Sequence, residues 1–81
     1  MFVEYLGNEQ IPDDEETIYT FRLTGVDRGT GIHFKGDVYQ LVKGMDYTEY
    51  RKQGEQLPIT KSGNLNLYRA LYRHLTVFSL G

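Results

Sequence analysis

The chain has 81 residues and a formal net charge of −2, with 11 acids against 9 bases. A hydrophobic share of 40% and a charged share of 25% are typical of a globular domain, so the composition excludes a disordered or fibrous chain. Cysteine is absent, which excludes disulfide bonds and thiolate metal sites. The start of the chain lacks a signal-peptide pattern and no apolar run could span a bilayer, so we expect a cytoplasmic protein without membrane contacts.

The first part of the chain predicts two strands separated by an acidic loop. Phe2–Leu6 alternates as strands do and stops at Gly7. Residues 8–16 are polar, contain a proline and end in four acids, which predicts a solvated loop; the alternative is an ordered acidic arm that pairs with a basic neighbour. Thr17–Thr24 is the clearest strand, because large apolar side chains alternate along it with threonines and an arginine.

A glycine-rich hairpin loop follows. Gly25–Gly31 contains three glycines in seven residues, which favours positive-φ turn positions, and we expect Asp27 and Arg28 at its exposed tip. Ile32–Phe34 predicts a short strand and Val38–Val42 the next one, with a tight turn or bulge between them.

A short helix is predicted over Asp46–Gln53. Its first residue is a suitable N-cap, and Glu49 completes a capping box three positions later. Met45 is expected to pack on Tyr50 across the first turn, and Gly54 stands where such a helix ends.

The last part of the chain predicts a longer helix from about Asn64 to Leu75. Apolar residues recur there every four positions, at Leu67, Leu71 and Leu75. Asn64 or Ser62 is the expected N-cap. Residues 76–80 alternate weakly and predict a final strand or a tail.

These elements predict one mainly β domain of the α+β type, residues 1–81. The β-rich part covers residues 1–60 and includes the acidic loop, whereas residues 61–81 supply the C-terminal helix and tail.

Opposite charges are concentrated towards the two ends of the chain. The first sixteen residues hold six acids and no base: Glu4, Glu9, Asp13, Asp14, Glu15 and Glu16. From Tyr50 onward the only acid is Glu55, against five bases: Arg51, Lys52, Lys61, Arg69 and Arg73. This distribution suits head-to-tail contacts between copies or contact with a polyanion.

The predicted C-terminal helix carries two arginines interleaved with tyrosines. Arg69 and Arg73 either form a solvated face or meet an acidic surface or a phosphate backbone, and Tyr68 and Tyr72 belong either to the core or to an interface. The pI of about 5.6 disfavours nucleic acid as the main partner. The candidate partner-binding residues are Asp13, Asp14, Glu15, Glu16, Arg28, Tyr68, Arg69, Tyr72 and Arg73.

Catalytic, cofactor and metal motifs are missing from the sequence. The glycine-rich loop lacks the P-loop and dinucleotide patterns, and His33 and His74 have no metal-binding spacing. Ser62 and Ser79 lack the sequence around an activated nucleophile. We therefore expect a protein that is not an enzyme and needs no cofactor or metal.

Two stretches carry a resemblance to a known group of proteins. Met1–Gly7 (MFVEYLG) resembles the opening strand of small tailed-phage virion proteins, and Phe34–Leu41 (FKGDVYQL) resembles a hairpin of those proteins and of SH3-like barrels. The resemblance covers roughly the first 55 residues. The acidic stretch 8–16 and the leucine–tyrosine helix depart from it.

The resemblance implies a small SH3-like barrel of about five strands, with a short helix and a C-terminal helix. It also implies a head–tail connector, neck, tail-completion or capsid-associated protein, located in the host cell or the virion, whose partners are its own copies or another virion protein. Three alternatives stay open. One is a small inhibitor that uses its acidic arm as a nucleic-acid mimic to block a host or defence protein, and another is a nucleic-acid-binding small barrel. The third is a minor enzyme, which would need an apolar pocket with convergent titratable groups.

Overall fold

Four antiparallel strands form one open sheet, and a C-terminal helix lies on one of its faces. The computed structural model describes residues 1–60 and 63–76. Within them the elements are β1 (Phe2–Ile11), a 3-10 turn (Pro12–Asp14), β2 (Glu16–Val26), β3 (His33–Lys43), β4 (Thr48–Lys52) and α1 (Leu65–Leu75). Each strand pairs with the next one along the chain, in the order β1-β2-β3-β4. The predicted mainly β fold with a C-terminal helix is confirmed.

The core lies between the sheet and α1. Phe21 and Leu23 of β2 are fully buried, as the alternation of that strand predicted. Cross-strand pairing places Phe21 beside Tyr39 of β3, and Tyr39 packs edge-on against Phe34 with 5.6 Å between ring centroids. The helix completes this core with Ala70, Leu71 and Leu75.

The C-terminal helix follows its sequence pattern closely. Leu71 and Leu75 are fully buried and Leu67 packs against the same core, because residues four apart share one face of a helix. The predicted N-cap is confirmed at Asn64, whose side chain accepts the Leu67 N–H at 3.2 Å. The alternative cap Ser62 and the strand expected to run to residue 80 fall on residues 61–62 and 77–81, outside the described residues.

The prediction of a solvated loop over residues 8–16 is wrong for most of that stretch. β1 continues to Ile11 and pairs with β2 down to Glu16, so the connection is reduced to the 3-10 turn and Glu15. Extending the pairing satisfies backbone groups that a loop would leave to water, and this outweighs the polar composition. The four acids Asp13–Glu16, hereafter the acidic turn, therefore sit on an ordered hairpin.

The prediction of a short helix over Asp46–Gln53 is also wrong, because this stretch contains β4. Tyr50 pairs with Leu41 of β3 and is 1% exposed in the core, whereas Met45 is 76% exposed and does not pack on it as a staple. Pairing with β3 and burial of one tyrosine outweigh a local capping pattern.

The two strands predicted around residues 32–42 are one continuous strand, β3. The register shifts between Leu23 and Thr24 of β2, which pair with Asp37 and Lys35 respectively. Gly36 is the extra residue of this bulge and has a φ of 84°, a conformation that glycine adopts without strain. The sequence predicted a tight turn or a bulge at Lys35–Asp37, and the bulge is confirmed.

Candidate interaction site

Four of the predicted partner-binding residues line one open groove on α1. The groove has a volume of about 550 Å³ and is bounded by Tyr68, Arg69, Tyr72, Arg73 and Thr76. We call it the tyrosine–arginine groove. Its members are spaced one, three or four residues apart, so they form a stripe on a single side of the helix.

The two tyrosines of the groove have different environments. Their rings stack, with centroids 6.3 Å apart and planes 28° apart. Tyr68 also packs edge-on against the buried Tyr50 at 5.0 Å, so it belongs partly to the core. Tyr72 is 57% exposed and presents most of its ring to solvent. An exposed aromatic ring supported by a second one provides a contact surface with little conformational freedom to lose.

A buried hydroxyl lies next to these rings. Among the residues that the structure describes, the Tyr50 hydroxyl oxygen has no hydrogen-bond partner. Burial, with a smaller contribution from neighbouring Tyr68, raises the pKa of Tyr50 well above its usual value of 10.0. The phenol is therefore neutral at physiological pH and leaves a polar atom unsatisfied in the core.

Arg73 reaches from α1 to a carboxylate on the loop after β2. Its Nη1 atom lies 3.2 Å from Oδ1 and 3.4 Å from Oδ2 of Asp27. The guanidinium lies over Gly29, where a Cβ atom would overlap it. Arg73 is still 53% exposed, so water screens the pair.

Asp27 is the centre of a cluster with Thr30, Arg73 and His74, hereafter the Asp27 cluster. Its Oδ2 atom accepts the Thr30 N–H at 2.8 Å and the Thr30 hydroxyl at 2.6 Å. His74 Nε2 lies 2.6 Å from Oδ1 and acts as the donor, because an ionised carboxylate only accepts. The expectation that Asp27 lies at an exposed tip is wrong, since the residue is 1% exposed.

The hydrogen bonds of this cluster keep Asp27 ionised. The Thr30 hydroxyl makes the largest contribution in lowering the pKa of Asp27 far below 3.8, with further contributions from His74, the Thr30 N–H and Arg73. Burial opposes this effect but is outweighed. The cluster thus joins the end of α1 to the β2–β3 loop through a buried charge.

Arg69 and Arg73 have different environments. It is exposed and makes no hydrogen bond or ion pair within the described residues. Its charge is therefore available to a neighbouring molecule. The two arginines are equivalent in the sequence pattern, but only Arg69 is unengaged.

The acidic turn presents three exposed carboxylates. Asp13, Asp14 and Glu15 are exposed, and Glu15 adopts a left-handed conformation with a φ of 51° that closes the hairpin. Glu16 is half-buried and accepts a hydrogen bond from the Tyr47 hydroxyl, which raises the pKa of Tyr47 to about 12. The first three acids are the ones free to meet a partner.

The acidic turn and the Asp27 cluster lie at opposite ends of β2. This strand runs from Glu16 to Val26, a span of about 30 Å, and the longest dimension of the molecule is 37 Å. Arg28 is exposed beside the cluster and lines a smaller cavity of about 310 Å³ with Arg73 and His74. The acidic turn of one copy therefore cannot reach Arg28 or Arg73 of the same copy.

Sequence reasoning missed the Asp27 cluster. Asp27 and His74 are 47 positions apart, so no local pattern joins them. The Asp27–Thr30 spacing inside a glycine-rich loop was a usable signal, since aspartate side chains often cap the backbone of their own turn.

Comparison with protein families, curated proteins and solved structures found no match. Within residues 1–60 and 63–76, no helix is long and apolar enough to cross a membrane. The same residues contain no group of three or more histidine, aspartate or glutamate side chains placed to hold a metal ion.

Proposed function

We propose that this protein is a non-enzymatic assembly protein that joins its own copies, or another virion protein, into a ring or lattice. This is the role implied by the resemblance of Met1–Gly7 and Phe34–Leu41 to small tailed-phage virion proteins. The acidic turn of one copy would dock against the tyrosine–arginine groove of the next.

The separation of the two charged surfaces supports this proposal most strongly. Asp13 and Asp14 are exposed at one end of β2, and the groove runs along α1 towards the Asp27 cluster at the other end. Arg69 is exposed and has no partner among the described residues. Arg73 is held by Asp27, so the charge of Arg69 is the one in the groove that is available to an acidic surface of another molecule.

The geometry of such a contact determines the kind of assembly. The acidic turn and the groove are different surfaces, so their contact is heterologous rather than two-fold symmetric. A heterologous contact closes into a ring when the rotation between copies allows it, and otherwise continues as a filament or lattice.

We also propose that the fold is the five-stranded SH3-like barrel that the resemblance implies. The four observed strands are sequential and antiparallel, as in a barrel that has not closed. The fifth strand was expected near residues 76–80, of which residues 77–80 lie outside the described residues.

A charge-swap experiment tests the docking contact. Asp13→Lys with Asp14→Lys should weaken self-association at least about five-fold, and so should Arg69→Glu, because each change sets like charges against each other. The chain that carries all three changes should recover association, since the interface charges are then exchanged. Sedimentation velocity over a range of concentrations measures the association constant of each chain.

Lys35→Glu is the matched control, because Lys35 is an exposed base on β3 outside the groove. Its association constant should equal that of the parent chain. Failure of the triple variant to recover association would reject this interface. A monomer that binds a DNA-handling protein through the acidic turn would favour the inhibitor function instead.

Nucleic-acid binding is a second candidate function, favoured by one observation. The exposed Tyr72 ring stacks on Tyr68 between two arginines, an arrangement that suits base stacking and phosphate contacts. A gel-shift assay with single-stranded oligonucleotides at rising salt tests it, since phosphate contacts give a steep salt dependence. The absence of a shift at low salt would reject this function.

A further inference from the structure

β1 is an outer strand with one open edge. It pairs with β2 on one side and no other described strand lies on its far side. Within residues 1–60 and 63–76, no further backbone hydrogen bond involves residues 2–11. Alternate residues of an outer strand direct their N–H and C=O groups away from the sheet, which is the template for adding another strand.

The opposite edge of the sheet is covered. β4 is only five residues long, and its central residue, Tyr50, accepts the Ile59 N–H at 2.8 Å on its carbonyl oxygen. A short strand with a loop across it is a usual way of protecting a sheet edge. β1, with ten residues, has no such cover among the described residues.

A bulge divides the open edge into two segments. The register with β2 shifts between Tyr5 and Gly7, so Leu6 is the extra residue. Beyond the bulge, Gly7–Ile11 pairs without interruption with Thr20–Glu16. Asn8, Glu9 and Gln10 are exposed along this regular segment, and Tyr5 and Leu6 provide exposed apolar surface at its start.

The acidic charge of the β1–β2 hairpin indicates which kind of segment this edge binds. No base precedes Arg22 in the sequence, and Glu9 is followed on the same hairpin by the acidic turn. Arg22 is already 3.2 Å from Glu4, so it does not offset Glu9. A second copy would pair with this edge through its own acidic β1, because its β4 edge is covered. Such pairing would bring two acidic hairpins together. A basic segment of another protein has the opposite charge and is therefore complementary to this edge.

We propose that the Gly7–Ile11 edge of β1 binds an extended, lysine- or arginine-containing segment of a different protein by strand addition. Backbone hydrogen bonds supply the affinity, and the acids along the hairpin select for basic side chains. This surface is separate from the tyrosine–arginine groove on α1, so the proposal stands independently of self-assembly.

A designed peptide tests this edge on the full chain. The probe is an eight-residue peptide that alternates valine or threonine with lysine, and the matched probe has glutamate at every lysine position. Isothermal titration should show binding of the lysine peptide only, weakening as salt rises. Amide hydrogen exchange should show new protection confined to alternate residues of Gly7–Ile11.

Glu9→Lys should weaken binding of the lysine peptide about five-fold and leave self-association unchanged. Glu55→Lys, which reverses another exposed acid away from β1, should leave peptide affinity unchanged. Equal binding of both peptides, protection outside β1, or no binding at low salt would overturn the proposal. Protection of the outward-facing β1 amides in the free chain would also overturn it, because the edge would then already be covered.

Discussion

Asp27 joins the β2–β3 loop to α1 through its contacts with Arg73 and His74. Asp27→Asn should lower the free energy of unfolding by about 3 kcal/mol, because it removes the charge that Thr30, Arg73 and His74 surround. Urea unfolding followed by circular dichroism measures the loss. Asp46→Asn, at an exposed acid that makes no hydrogen bond in the described part of the chain, should change stability by less than about 0.5 kcal/mol. Equal losses in the two variants would contradict the role of the cluster.

The lowered pKa of Asp27 also predicts a pH dependence. The unfolded chain binds a proton at Asp27 near its ordinary pKa of 3.8, whereas the folded chain binds it only at much lower pH. Asp27 therefore contributes full stability above about pH 5 and progressively less as the pH falls towards about 2. The difference in unfolding free energy between the parent chain and Asp27→Asn should shrink over that range. A difference independent of pH would contradict the assigned ionisation.

The unpartnered hydroxyl of Tyr50 predicts an unusual substitution. Tyr50→Phe should leave stability unchanged or raise it by about 1 kcal/mol, because it removes a buried polar atom that has no hydrogen bond within residues 1–60 and 63–76. Tyr47→Phe is the matched control and should not raise stability, since it removes a hydroxyl that donates to Glu16. Thermal unfolding of both variants checks the contrast. A marked loss of stability in Tyr50→Phe would show that the hydroxyl has a partner.

At the residue scale, the sequence predicted that the tyrosines and arginines of the groove lie together on the helix, but it did not predict the Asp27 cluster. Arg69 and Tyr72 share one side of α1 because helical spacing is fixed by the backbone, and this could be read from the sequence. The burial of Asp27 could not, because it depends on Arg73 and His74 arriving from a distant helix.

At the scale of elements, α1 was predictable and its start offers a direct test. Asn64→Ala should destabilise the protein by about 1 kcal/mol, because the Leu67 N–H loses its acceptor. Asn66→Ala, at an exposed position within the helix, should be neutral or slightly stabilising. Chemical unfolding of the two variants measures both effects, and equal stabilities would contradict the cap.

The strands show where local patterns lose their predictive value. The alternation of β2 was correctly predicted because its faces are fixed by the strand period. The capping pattern around Asp46 failed because Tyr50 gains more by pairing next to Leu41 in the core than a helix of two turns could offer. The prediction of a solvated loop over residues 8–16 failed for the same reason, because pairing with β2 extends β1 to Ile11.

At the scale of the whole molecule, two of the charged surfaces lie far apart. The acidic turn lies at one end of β2, and Arg28 lies beside the Asp27 cluster at the other. The fold keeps the acidic turn and Arg28 about 30 Å apart, so these two do not pair within one copy. This separation underlies the proposed assembly.

The most direct test is the mass of the parent chain in solution, measured by sedimentation equilibrium across concentration and salt. Contacts between exposed charges are screened by salt. We therefore expect oligomers at about 50 mM salt and their dissociation towards monomers at about 0.5 M salt. A chain that stays monomeric at millimolar concentration and low salt would contradict it. So would oligomers that salt leaves intact.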